Sequence, residues 1–296
     1  MLTEARLEVP AAEAEAWSDA LQRLGDGRWS VHEDVDARSA RLCGYFADDS
    51  AAQAAWSELR RSLRGTLRPA GAPVLRSVAD EDWRESYKAH FKAWRHGRLH
   101  WVPEWERATH RVPRGHAAVY LDPGMAFGTG NHETTRLCVR ELVRFAGRLT
   151  PAARRGRHVV DAGCGSGILA ISAAKLGFPR VFAFDNDREA VAVARKNARR
   201  NHAGTAVRTA TAGLETALRS RRADLLLANI QSNVLVEHAP LLVHAVRPGG
   251  WLVLSGILAR EAEGVAERFR EAAPGGRITT RLLGEWASVT WVSPGR

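Results

Sequence analysis

The 296-residue sequence predicts an α/β protein in two parts, a small amino-terminal α+β domain ahead of a larger doubly wound one, and two patterns carry that expectation. Up to about residue 68, strand-like and helix-like stretches follow in the order strand, helix, strand, strand, helix, with 73–78 available as a fourth strand. That succession is the order of a ferredoxin-like α+β sandwich. From about Thr135 onward, short apolar runs alternate with helical patterns, the mark of a mostly parallel sheet covered by helices on both faces. The chain is therefore divided into a ferredoxin-like domain over 1–68, a connecting segment over 69–116 and a Rossmann-like domain over 117–296.

Each element has a local reason. Leu2 to Val9 half-alternates apolar and polar residues and reads as a strand. Pro10 opens Ala11 to Leu24, where Trp17, Leu21 and Leu24 fall at helical spacing and Gly25-Asp26-Gly27 ends the run. Trp29 to Val35 and Arg41 to Phe46 read as strands, and Ser50 to Leu63 as a second helix capped by Asp49 or Ser50. Asp80 to His96 has a helical pattern, with Trp83, Tyr87, Phe91 and Trp94 forming an aromatic stripe that is expected to pack against a domain. Leu99 to Val102 and Ala117 to Leu121 form a short strand-like pair, separated by Pro103, Pro113 and Gly115.

Composition excludes several classes. At 45% hydrophobic and 26% charged residues, with no apolar run near the roughly 18 residues that span a bilayer, the chain is expected to be a folded cytoplasmic protein and a monomer. Its start lacks the basic-then-apolar pattern of a secretory signal. Cys43, Cys138 and Cys164 form no CxxC pair, so neither a disulfide framework nor a metal site is expected. The net charge of +10 would raise encounter rates with polyanions, yet 39 of the 43 basic residues are arginine, a skew that GC-rich coding also produces. Residues 1–68 are net −3 and the remainder +13.

The chemistry begins at His158-Val159-Val160, which leads into Asp161-Ala162-Gly163-Cys164-Gly165-Ser166-Gly167 and then a helical stretch from Ile168 to Leu176. A strand, a glycine turn and a helix in that order let backbone approach a nucleotide closely, because glycine has no Cβ and tolerates positive φ. The next strand, Val181 to Phe184, ends at Asp185, an acid placed to accept hydrogen bonds from both ribose hydroxyls. Two ligands fit these letters. GxGxG from Gly163 suits S-adenosyl-L-methionine; GxGxxA from Gly165 to Ala170, with Asp185 twenty residues on, satisfies a dinucleotide fingerprint. Asp161 favours the cationic methyl donor, since a carboxylate beside the loop opposes a pyrophosphate at the helix N-terminus.

Two further segments matter. Leu121 to Thr135 packs three glycines and a proline into an irregular loop that can close over a cofactor, with Thr134 or Thr135 available to cap the next helix. Asn229 stands at the end of the strand Asp224 to Ala228, where open α/β sheets place their chemistry. It offers an uncharged acceptor suited to an amine nucleophile, or alternatively a cap for the following helix.

In this order the pieces resemble the ribosomal protein L11 methyltransferase family over nearly the whole chain. Leu121 to Thr135 matches that family's LDPGxAFGTGxHxTT pattern at every fixed position. Trp83, Tyr87, Phe91, Gly97 and Pro103-Glu104-Trp105 are similar to its linker, and Asp161 to Ala170, Asp185, Asn229-Ile230 and Ser255-Gly256-Ile257-Leu258 to its donor-binding core. The resemblance implies an S-adenosyl-L-methionine-dependent protein N-methyltransferase. It would act on lysine side chains or the N-terminal amine of ribosomal protein L11, near ribosomal RNA and away from membranes. The amino-terminal domain would recognise the substrate. Carried over residue by residue, Phe127, Thr134, Thr135, Gly163, Gly165, Asp185 and Asn229 would bind the cofactor, with Asn229 also catalytic. Gln231-Ser232-Asn233-Val234 departs from relatives, which have smaller or proline-containing sequence there, so the shape of the acceptor entrance is not implied. The rivals are a methyltransferase of the same fold acting on RNA or a small molecule, a nicotinamide-dependent oxidoreductase, and a binding protein without turnover.

Overall fold

A computed structural model of the chain describes residues 2–24, 28–34, 39–63, 67, 71–78, 92–121 and 132–295. The chain divides into two compact units, Met1–His90 and Phe91–Arg296.

The first unit runs β1 (Leu2–Val9), α1 (Ala14–Leu24), β2 (Trp29–Asp34), β3 (Ser39–Phe46), α2 (Asp49–Ser62) and β4 (Val74–Val78). Its antiparallel sheet has the order β2-β3-β1-β4. Alternation along β1 sends Ala5, Leu7 and Val9 to one face, where they meet Trp17 and Leu21 of α1 and Trp56 and Leu59 of α2. Leu24, expected on that apolar face, is exposed instead. The cap of α2 is Asp48, one residue earlier than expected, and its Oδ1 accepts the Ala51 amide at 2.8 Å. Because β4 pairs with β1 from Val74 to Val78, this sheet includes residues beyond position 68.

The second unit opens with a three-stranded sheet of β5 (Trp94–His96), β6 (Leu99–Pro103) and β7 (Ala117–Leu121). The helix expected over Asp80 to His96 does not reach its end: 79–91 lie outside the described residues, and Trp94–His96 is a strand. Gly97, at φ +58°, turns the chain back, and the stacking of Trp94 on its cross-strand partner Trp101 at 4.0 Å outweighs the helical spacing.

The main sheet follows. Its elements are α3 (Glu133–Gly147), α4 (Pro151–Arg155), β8 (His158–Ala162), α5 (Ile168–Lys175), β9 (Arg180–Asp185), α6 (Arg188–Arg200), β10 (Val207–Thr211), α7 (Leu214–Leu218), β11 (Ala223–Asn229), α8 (Ser232–Glu237), α9 (Ala239–His244), β12 (Val246–Leu258), α10 (Ala262–Ala272), β13 (Arg277–Leu283) and β14 (Trp286–Val292). The seven strands stand in the order β10-β9-β8-β11-β12-β14-β13, all running in one direction except β14, which pairs antiparallel with β12 and β13 on either side. Consecutive residues serve opposite faces: Val159, Leu225 and Leu227 join one core cluster, Val160, Leu226 and Ala228 the other. The edge strand β13 was not expected, since its mostly exposed sequence shows no apolar run. Cys43, Cys138 and Cys164 are free and buried. No described helix is long and apolar enough to cross a membrane.

Candidate functional site

The sheet order reverses between β8 and β11: from β8 the chain steps outward to β9 and β10, then returns to β11 on the other side. Ligands in open α/β sheets sit in the crevice at such a switch point. A cavity of about 770 Å³ opens there, lined by Gly163, Gly165 and Asp185 on one side, Asn229, Ile230 and Gly256 on the other, and Thr134, His132 and Trp286 from α3 and β14.

The glycine loop takes its shape from backbone bonds to β9. The amides of Gly163 and Cys164 both donate to the Phe184 carbonyl, at 2.9 and 3.0 Å, and Gly165 donates its amide to Asp185 Oδ2 at 2.9 Å. Gly163, Gly165 and Gly167 have φ of +70°, +49° and +80°, a region closed to most residues with a Cβ. Asp185 Oδ1 accepts the Asp187 amide at 3.1 Å. Each carboxylate oxygen is thus oriented by one amide and keeps a second lone-pair direction for a ligand hydroxyl.

Asp161 does not line the cleft. It is buried at the foot of the loop, where its Oδ2 accepts the Ala170 amide in the first turn of α5 at 2.9 Å. Burial pushes its carboxyl up to about 7, against the Ala170 hydrogen bond and with help from the nearby Asp185 charge. The fixed negative charge that favours a cationic donor in the sequence is therefore weakened. What remains of the argument is steric and polar: Asp161 fills the helix N-terminal position that a pyrophosphate needs.

Asn229 closes β11, and its Oδ1 is buried without a hydrogen-bond partner among the described residues. The alternative role of helix cap is not met, because Gln231 occupies the N-cap of α8 and no side chain bonds there. A buried acceptor left without a donor costs about 1–3 kcal/mol, which a bound N–H group recovers. The backbone that presents it is wedged: a Cβ at Gly163 would stand 2.3 Å from Ile230 Cγ2, and one at Gly256 2.3 Å from the Ile230 carbonyl oxygen.

Thr134 lines the cavity, whereas Thr135 is fully buried in the first turn of α3 with its Oγ1 unpartnered among the described residues. Neither threonine caps α3. His132 does, its Nδ1 accepting the Thr134 amide at 3.4 Å and lying 2.8 Å from the Thr134 hydroxyl, while its ring meets Trp286 edge-on at 4.8 Å. Phe127 lies outside the described residues. Sequence reasoning missed Trp286, Glu215 and His238, all on the cavity wall. No local motif marks them; the strand order brings α7, the end of α8 and β14 to the same crevice.

A family model described as ribosomal protein L11 methyltransferase matches residues 4–293. A ribosomal protein L11 methyltransferase of Cupriavidus taiwanensis is 39% identical over 294 residues, covering 92% of this chain and 93% of that protein. One from Trichlorobacter lovleyi is 38% identical over 295 residues, covering 94% of each. Among solved structures, a ribosomal protein L11 methylase from Lactobacillus delbrueckii subsp. bulgaricus is 30% identical with a TM-score of 0.59, covering 68% of this chain and 97% of that one.

Proposed function

The chain belongs to the ribosomal protein L11 methyltransferase family, and from that premise we propose that it transfers methyl groups from S-adenosyl-L-methionine to amino groups of ribosomal protein L11, on lysine side chains or the N-terminal amine. The observation that carries the amine reading is the unpartnered Asn229 Oδ1 in the same cleft as the Asp185 carboxylate. One residue is suited to N–H groups and the other to ribose hydroxyls. The residues fit the donor: the cavity is large enough for a nucleoside, its acid is pre-oriented by two amides, and the helix N-terminus is filled by Asp161.

S-adenosyl-L-methionine supplies an electrophilic methyl group on a sulfonium. Asp185 accepts the ribose hydroxyls, and the positive-φ backbone of Gly163 and Gly165 allows close approach of the ligand. Thr134 and Thr135 stand at the start of α3, on the side of Trp286. Asn229 accepts an N–H of the neutral amine and so holds its lone pair along the line of displacement, where orientation in a dry pocket supplies most of the gain. An α-amino group, near 7.7 to 8.0, is more readily available unprotonated than a lysine near 10.4, so no strong protein base is needed if the proton leaves to water on entry.

The basic excess of residues 91–296, with 31 basic against 17 acidic side chains, supports a working place near ribosomal RNA. Incubating the enzyme with labelled donor and the purified large-subunit proteins, then mass spectrometry, tests the assignment. Label on amines of L11 is the expected result; label in RNA, or in no protein, overturns it.

A further inference from the structure

The two ends of the parallel strands differ in charge. At the carboxyl end, beside the cavity, the segments 185–189, 212–215 and 259–263 hold six acids against two arginines. At the amino end, the segments 154–158, 175–180, 199–208, 219–224 and 244–247 hold twelve arginine or lysine side chains and one acid, Asp224. That acid is buried and shared, bonded to Arg157 at 2.8 Å and to Arg247 at 2.7 Å, so the three together keep a net positive charge. Some of the cations answer helix ends: Arg154 donates to the Ala146 and Leu176 carbonyls. Others do not. Arg180 and Arg208 stand on strands, and Arg221 and Arg222 lie beyond the end of α7. Their partners are neutral: Arg180 donates to His158 Nε2 at 3.3 Å, Arg222 meets the His244 ring, and Arg221 stacks 3.6 Å above the Phe182 ring. None of these four bonds to a carboxylate among the described residues. Burial, then Arg247 and Arg180, hold His158 below the ordinary histidine value in spite of Asp224, as a positive surface would.

The sheet sets these cations in a row. Arg208, Arg180, Arg157, Arg222 and Arg247 stand at or just before the starts of β10, β9, β8, β11 and β12, which are five neighbours in that order. With strands about 4.8 Å apart, the row is about 19 Å long. At its β10 end, on the sheet edge, a recess of about 530 Å³ is lined by Arg195, Arg199, Arg208 and Thr209. A line of charge that long fits a chain of phosphates better than one small anion, and guanidinium forks left without carboxylates match phosphate oxygens. The one large apolar side chain exposed among the described residues of this unit, Leu282, lies near the end of β13, so the row has no apolar group to insert into a bilayer. We propose that the amino end of the sheet, from Arg208 through Arg180, Arg157 and Arg222 to Arg247, binds the phosphate backbone of ribosomal RNA. From Arg180 to Asp185 along β9 is about 16 Å, so RNA held on the row leaves the cleft free for the protein substrate. The choice of RNA as the polyanion rests on the reading of that substrate as a ribosomal protein.

Titration of a fluorescent large-subunit ribosomal RNA transcript with the full chain, repeated over a range of salt, tests the row. Arg180→Ala with Arg222→Ala should weaken binding at low salt by about tenfold or more, and flatten the slope of log affinity against log salt by about two. Arg180→Lys with Arg222→Lys keeps the charge and should keep the slope. Arg140→Ala with Arg188→Ala removes the same charge midway along α3 and at the start of α6, both exposed and off the row, and should leave affinity within about twofold. Calorimetry with S-adenosylhomocysteine checks the fold, since the cleft lies at the other end of the strands and the Arg180, Arg222 alanine pair should bind it as the wild type does. Equal losses of RNA affinity in the two alanine pairs overturn the proposal, because total charge then explains them. So does wild-type binding to phosphatidylserine vesicles and not to RNA. A chain that labels L11 but does not bind RNA overturns this inference alone. A chain that binds RNA through the row but labels no amine of L11 overturns the proposed function and leaves the row standing.

Discussion

Two buried oxygens, Asn229 Oδ1 and Asp161 Oδ1, lack partners among the described residues, and they have different consequences. Asn229 lines the cavity, so its lost bond can be made good by a substrate N–H. Asn229→Ala should lower turnover by about 100-fold, the scale of a misplaced reacting group, with S-adenosylhomocysteine affinity within about threefold of wild type. Single-turnover kinetics beside calorimetry would show it, and equal losses in both would make Asn229 a donor-holding residue only. Asp161 lies away from the cavity, and its penalty appears as stability. Its folded value, about 7, lies above the ordinary carboxylate value, so the native state binds the extra proton and stability falls as pH rises through the window from about 4 to 7. Asp161→Asn should flatten that slope in denaturation midpoints at pH 5 and pH 8. A slope as steep as that of the wild type would mean that another group is responsible.

At the scale of elements, the junction of the glycine loop with β11 and β12 is held by Ile230, against which Gly163 and Gly256 both stand without room for a methyl group. Gly256→Ala meets backbone, the Ile230 carbonyl oxygen at 2.3 Å and its carbon at 2.9 Å, at a φ of +82°. It should cost at least about 2 kcal/mol and reduce donor binding. Gly177→Ala is the control, since its φ of +92° adds backbone strain while nothing stands within 4 Å of the new Cβ. It should cost about 1 kcal/mol. Equal losses in denaturant titrations would show that backbone conformation alone, and not the Ile230 contact, explains the first. The same junction separates what was legible in the sequence from what was not. Strand, glycine turn, helix and acid follow each other closely, so Gly163, Gly165 and Asp185 could be placed by local pattern. Asn229 could be placed because its strand is a clear apolar run. Glu215, His238 and Trp286 reach the cavity only through the order of strands in the sheet, a long-range property that local periodicity does not encode. The helix caps slipped for a smaller reason: Asp48 and His132 lie one or more residues ahead of the hydroxyls and acids that seemed better suited.

At the scale of the whole molecule, the net charge of +10 conceals two units of opposite sign. Residues 1–90 carry 12 basic and 16 acidic side chains, against 31 and 17 in residues 91–296. If the acidic first unit recognises the substrate, its charge is complementary to that of a basic ribosomal protein, and complementarity of this kind acts mainly on association rate and partner choice. The acids that can steer are those not already used locally. Asp48 caps a helix, and Glu8 and Glu58 pair with Arg6 and Arg28, while Glu13 and Asp19 are exposed. Replacing Glu13 and Asp19 by lysine in the full chain should slow association with L11 by about threefold or more at low salt, with little change in dissociation. The difference should shrink as ionic strength rises, because a Debye length of about 8 Å at physiological salt screens charges that are not in contact. Arg155→Glu with Arg277→Glu alters charge by the same amount on exposed positions of the second unit, in the opposite direction. If steering belongs to the first unit, this second pair should leave L11 association nearly unchanged while weakening the salt-dependent attraction to RNA. Equal and opposite effects of the two pairs on L11 association, measured by stopped flow, would show that only total charge matters and that the acidic unit has no recognition role of its own.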